Sequence, residues 1–161
     1  MKKLSLLAVA ASMATSSMLL LSSPVNAEAA KSERQAANAV QFRQALLQLV
    51  RSNMGPLGGM ARGQIPMDVE VVKTNSERLE QLSVMLPDYF ATDTTAFSVE
   101  TEALPKIWSN MDDYLSKAND LTVASQALQV AAATGNEGAI RKAIGKVGGT
   151  CKACHDAYKA E

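Results

Sequence analysis

The sequence predicts an all-α fold, an antiparallel up-down bundle of four helices. Three observations carry that expectation. Aromatic residues are only 4 % of the 161 residues, Ala and Leu are plentiful, and β-branched runs are short, a composition that leans toward helix. Apolar residues recur at three- and four-residue spacing in four successive segments, each bounded by a capping residue or a breaker. Both cysteines and the single histidine fall within five residues of one another near the end, where they continue the last apolar row.

The first segment reads as a targeting signal rather than as part of the bundle. Met1-Lys2-Lys3 gives a positive start, an apolar run diluted by Ser and Thr follows from Leu4 to Leu21, and Val25-Asn26-Ala27 offers small residues for signal peptidase. Ala27-Glu28-Ala29 is a second possible cut. An uncleaved anchor is the competing reading, but polar dilution and the small-residue end favour cleavage. Residues 1–27 are therefore expected to leave, and residues 28–161, about 134, to form one domain.

The first helix is expected to start at Ser32, with Gln35 completing a capping box. Val40, Leu47, Val50 and Met54 form its stripe, and Phe42, Leu46 and Leu49 widen the apolar face. Pro56, Gly58 and Gly59 should kink or loosen it before Arg62-Gly63 closes it. Asp68 caps a second helix with Val72, Leu79, Leu82 and Leu86 inside, and Pro87 is expected to end it. Residues 88–101 show no clean period and read as one long connection; nothing in the chain reads as a strand. Pro105 suits the first turn of a third helix, whose stripe runs through Ile107, Met111, Tyr114, Ala118, Leu121 and Leu128 to a break at Thr134-Gly135. Trp108 beside that stripe reads as a packing aromatic. Asn136 caps the fourth helix, and Ile140, Ala143, Ile144 and Val147 lead to Cys151, Cys154 or His155, then Tyr158. Gly148 and Gly149 lower helix propensity just before that window, which suits close approach of a helix or a planar group, or a local kink.

Cys151-Lys152-Ala153-Cys154-His155 reads C-x-x-C-H, the attachment signal for c-type haem. Cysteines three apart share one helix face, so each sulfur can add across one haem vinyl group, and the next residue can bind the iron through an imidazole nitrogen. A dithiol redox site would open a helix after a strand in a βαβ setting, which is missing here. Zinc would want four ligands, and only three crowded candidates exist. The expected cofactor is one haem c, enclosed by the bundle, with Cys151 and Cys154 as its thioether anchors and His155 as the iron ligand.

Charge excludes other classes. The chain carries 16 basic and 16 acidic side chains, and loss of Lys2 and Lys3 leaves 14 against 16. There is no basic block and no aromatic-basic interleaving, so nothing favours nucleic acid. No segment after the signal is long and apolar enough to span a bilayer. Export to the periplasm suits c-type haem, which is attached beyond the bacterial cytoplasmic membrane.

A haem motif at the end of a four-helix bundle resembles the cytochrome c′ family, an up-down bundle family. The resemblance rests on Phe42-Arg43-Gln44-Ala45-Leu46-Leu47, on Arg62-Gly63-Gln64-Ile65-Pro66-Met67-Asp68, on Pro105-Lys106-Ile107-Trp108, and above all on residues 147–158. It implies that Cys151 and Cys154 hold the haem and that His155 is the proximal ligand. It further implies that Leu47 stands over the distal face and that Arg43 lies near a haem propionate. Where the family usually has Arg after the Tyr, this chain has Lys159, which is not an equivalent donor. The resemblance also allows a homodimer through the first two helices.

With leucine over it, the iron is expected to be five-coordinate and high-spin, with an apolar open face that takes NO or CO rather than O₂. The alternative is an electron-transfer cytochrome with a six-coordinate low-spin haem and an axial Met, for which Met54 and Met60 lie on the first helix. An enzyme is not expected: a peroxidase would want a distal acid-base group, and the only histidine is already used. No catalytic residue is assigned. Redox partner proteins fit either reading.

Overall fold

A computed structural model describes residues 27–161. The segment expected to be a signal therefore lies outside the described residues except for Ala27. The helices are α1 (Glu33–Ala61), α2 (Val69–Phe90), α3 (Lys106–Ser109), α4 (Met111–Ala133) and α5 (Glu137–Tyr158), with two short strands, β1 (Glu28–Ala29) and β2 (Thr92–Asp93). The four long helices form the antiparallel bundle, in which α1 packs on α2, α2 on α4, α4 on α5, and α5 back on α1.

Local chemistry sets the ends. Ser32 Oγ accepts from the Gln35 amide at 3.2 Å, while Gln35 Oε1 accepts from the Lys31 amide at 2.7 Å. Asp68 Oδ1 accepts from the amides of Glu70 and Val71, and Asn136 Oδ1 from that of Ala139. These side chains satisfy donors that a helix start leaves unpaired. Gly63 (φ +71°) and Gly135 (φ +66°) turn the chain after α1 and α4 in the left-handed region that glycine adopts without strain. Arg141 of α5 donates from Nη1 to the carbonyls of Met60 and Ala61, placing a cation on the C-terminal end of α1.

Several expectations are corrected. Pro56 lies inside α1, which runs from Glu33 to Ala61. Pro87 does not end α2, which continues to Phe90 because that ring is buried against Tyr114, and this packing outweighs one missing amide in the last turn. The third helix is two pieces, split at Asn110 (φ −136°, ψ 47°), whose Nδ2 donates to the Lys106 carbonyl. Two strands exist where none was expected: β1 and β2 pair in parallel, with Glu28 N donating to Ala91 O and Ala30 N to Asp93 O, both at 2.8 Å. Two rungs are too short to leave a period-two pattern. In α1 the buried line runs through Ala36, Val40, Arg43, Leu46, Asn53, Leu57 and Met60, so Leu46 and not Leu47 is core. Gly148 meets no tight neighbour, since an added Cβ would lie 3.8 Å from Met54 Cε, and nothing lies within 4 Å of one at Gly149.

Most of the large, fully buried apolar side chains gather at one end of the bundle, Ile107 of α3 being an exception. Leu57, Val72, Leu79, Leu128, Ile140 and Ile144 come from the second half of α1, the first half of α2, the second half of α4 and the first half of α5. Antiparallel order brings those halves together. Full burial of such a side chain stabilises by roughly 1.5–3 kcal/mol. Leu79→Ala should therefore lower stability by about 2–5 kcal/mol, while Val130→Ala on the exposed face of α4 should change it by less than about 0.5 kcal/mol; shifts of the urea unfolding midpoint check both.

Candidate haem-binding site

At the other end of the bundle the helices enclose a cavity of about 1250 Å³, larger than the roughly 300–1,000 Å³ of ordinary small-molecule clefts. Residues 43–58 of α1, the end of α2, residues 100–103, Ile107 of α3, the start of α4 and the last two turns of α5 bound it. Cys151, Cys154 and His155 all line it. They stand on the row that begins with Ile140, Ala143, Ile144 and Val147, so the helical period that buries those four turns both thiols toward the interior. The cysteines are free, half-buried and packed against the core. Burial raises both thiol pKa values above the ordinary range; for Cys154 the nearby Lys117 cation opposes the shift.

The wall opposite belongs to α1. Arg43, Leu47, Val50 and Met54 follow one another at helical spacing and all line the cavity. Leu47 is 41 % exposed, so its side chain stands out from the wall rather than within the core. Gln44, Gln48 and Arg51 flank it, exposed polar side chains that the sequence reading passed over.

Arg43 is 3 % exposed, not a side chain reaching to solvent. Nε donates to the Ala39 carbonyl at 3.2 Å and Nη2 to Thr94 Oγ1 at 3.0 Å. The guanidinium lies 5.2 Å from the Phe90 ring centre and 5.1 Å from that of Trp108. Trp108 is fixed in turn by its indole N–H, which donates to the Phe90 carbonyl at 3.1 Å. Desolvation lowers the Arg43 pKa, while Tyr114 and Asp93 push it back up. Nη1 is buried and has no partner among the described residues. A buried unmet donor costs about 1–3 kcal/mol, more when charged. An anionic group in the cavity beside it would remove that cost.

Behind the motif, the Tyr158 hydroxyl donates to Asp113 Oδ2 at 2.5 Å, and Lys117 Nζ lies 3.7 Å from the same oxygen. Burial and this carboxylate push the Tyr158 pKa up to about 12. Lys159 leaves the helix and pairs through Nζ with Glu102 Oε2 at 3.0 Å. Backbone bonds from Leu104 N to Tyr158 O and from Ala160 N to Glu102 O fasten this end of α5 to residues 102–104.

These residues fit a haem. Two free thiols and an imidazole share one helix face on a cofactor-sized cavity, and the buried guanidinium lacks the partner that a propionate would supply. Among the described residues there is no group of three or more His, Cys, Asp and Glu side chains that could hold a bare metal ion. The sequence reading missed Phe90, placed in a loop beyond Pro87, and Thr94, for which no local pattern exists.

A family model described as cytochrome c′ matches residues 38–159. A cytochrome c′ of Cereibacter sphaeroides is 35 % identical over 145 residues, 89 % of this chain and 94 % of the relative. The solved cytochrome c′ of Shewanella frigidimarina superposes with a TM-score of 0.71 at 34 % identity, covering 78 % of this chain and 97 % of its own. A leucine-to-alanine variant of the Alcaligenes xylosoxidans cytochrome c′, solved as a nitric oxide complex, gives a TM-score of 0.68 at 35 % identity over 78 % and 96 % of the two chains.

In chain produced without haem attachment, the two thiols should resist alkylation at neutral pH. The rate should rise only above the pH at which an ordinary cysteine ionises, because the raised pKa values keep thiolate scarce. Iodoacetamide labelling across pH, with glutathione as reference, checks this.

Proposed function

This chain belongs to the cytochrome c′ family and carries one covalent c-type haem, and from that premise we propose that it is a periplasmic cytochrome that binds NO and CO on a sterically gated, five-coordinate haem. The observation that carries the reading is that the C-x-x-C-H row of α5 and Leu47 of α1 line one and the same cavity. Cys151 and Cys154 hold the group by thioethers, and His155 binds the iron from the same side. Held by these residues, a haem would supply an iron that cycles between ferrous and ferric and could bind a diatomic ligand. Leucine has no atom that ligates iron, so Leu47 closes that position by bulk alone. Arg43 Nη1 takes a propionate, which meets its missing hydrogen bond and offsets its buried charge.

The nitric oxide complex of the Alcaligenes xylosoxidans neighbour supports a gas-binding role. The role is binding and redox cycling rather than catalysis, since the only histidine is the iron ligand. Among the described residues no helix is long and apolar enough to cross a membrane, which suits release into the periplasm after signal cleavage. Phe42 and Leu49 on α1, with Val84 and Met85 on α2, are exposed apolar side chains that suit a homodimer through these helices.

Optical spectra of the reduced exported protein test the reading. A high-spin spectrum that shifts with NO and CO and not with O₂ is expected. A low-spin spectrum indifferent to all three gases would replace it with a six-coordinate electron-transfer haem, and stable O₂ binding would mean that Gln44 or Gln48 donates into the pocket. Leu47→Ala should speed CO association at least tenfold, equivalent to about 1.4 kcal/mol off the barrier, as measured by stopped flow.

A further inference from the structure

The parallel ladder of β1 and β2 uses the residues between the two possible signal-peptidase cuts. Glu28 and Ala29 supply both strand positions, in register with Thr92 and Asp93. A cut after Ala27 keeps the whole strand, and a cut after Ala29 removes it. Ala91, whose carbonyl accepts from Glu28 N, is the C-cap of α2, so it lies at the negative end of the helix dipole. An α-amino group generated at Glu28 would stand on that carbonyl as a cation, a favourable placement, whereas an uncut chain has a neutral amide there. Ala30, which follows, is buried and donates to Asp93 O.

The strap leads into the cavity wall. Thr94 follows β2 directly, is 2 % exposed, and accepts from Arg43 Nη2. Arg43 also rests between Phe90 and Trp108, of which Phe90 closes α2 just before the strap. One short run, residues 90–94, thus touches both the N-terminal strap and the guanidinium.

We infer that export processing cuts between Ala27 and Glu28, and that the new terminus, residues 28–30, is a strap that fixes Thr94 and through it the position of Arg43 in the haem cavity. The inference rests on the exported haem protein proposed above. Thr94 is here the positioning residue, acting through Arg43: a buried cation beside the haem would disfavour the ferric state, so loosening it lets water screen the charge and lowers the reduction potential.

The test uses haem-loaded protein purified from the periplasm. Its N-terminal sequence and intact mass should show a chain beginning at Glu28 with one haem. A chain beginning at Ala30, lighter by one glutamate and one alanine, overturns the inference and leaves the gas-binding proposal standing. A chain retaining Met1 overturns the inference and the signal-cleavage reading together. A variant with residues 28 and 29 deleted, so that Ala27 joins Ala30, should exchange the amides of residues 92–94 at least tenfold faster and shift the potential negative. Thr94→Val should shift the potential the same way while leaving the Glu28 rung protected, and this second variant serves if the deletion does not fold. Exchange and potential unchanged from the parent overturn the strap's link to Arg43.

Discussion

The bundle is built around a volume that its own side chains do not fill. At one end Leu57, Leu79, Leu128 and Ile140 are fully buried in the apolar core. At the other, the same four helices offer a guanidinium, thiols and an imidazole around a space of about 1250 Å³ that is partly open to solvent. Side chains that line such a space lack packing partners on that side. The haem returns them, and its two covalent bonds keep it from leaving. The apolar stripes, the halves they occupy and the row on α5 all follow from that division between a filled end and a cofactor-bearing one.

Arg43 shows what the cofactor-bearing end costs. A cation at this depth requires several partners, and the fold supplies a carbonyl, a hydroxyl and two aromatic faces. These come from α1, from the residue after β2, from the end of α2 and from α3, four pieces of chain that share little else. The charge accordingly gathers the irregular part of the molecule, residues 90–110, against the regular part. The break at Asn110 and the two-rung ladder belong to this assembly, not to the bundle core.

Much of this was legible in the sequence. The caps Ser32, Asp68 and Asn136, the breaks at Gly63 and Gly135, and the stripes of α2, α4 and α5 follow from spacing and side-chain chemistry, and they stand in the structure as read. The C-x-x-C-H row was legible for the same reason, since its three residues keep the helical period of the apolar residues before them. Illegible features were those decided by distant partners. Pro87 looks like a stop until Phe90 finds Tyr114, and Leu47 looks like core until Leu46 takes that place. The resemblance put Arg43 near a propionate, but nothing local announces its partner Thr94, 51 positions away. The two strands leave no pattern because two residues cannot show one.

The haem-bearing row sits at residues 151–155, on the last helix of the bundle. The apolar faces of α1 and α4 both pack on this helix. It carries the cofactor's attachment points on the side that lines the cavity. The bridge between Ala103 and Lys159, with Glu102 holding the Lys159 ammonium, then lies across the final turn. Chain order thereby puts the covalent anchors on the element that completes the bundle: the helix that closes the interior is also the one that carries the cofactor's attachment points.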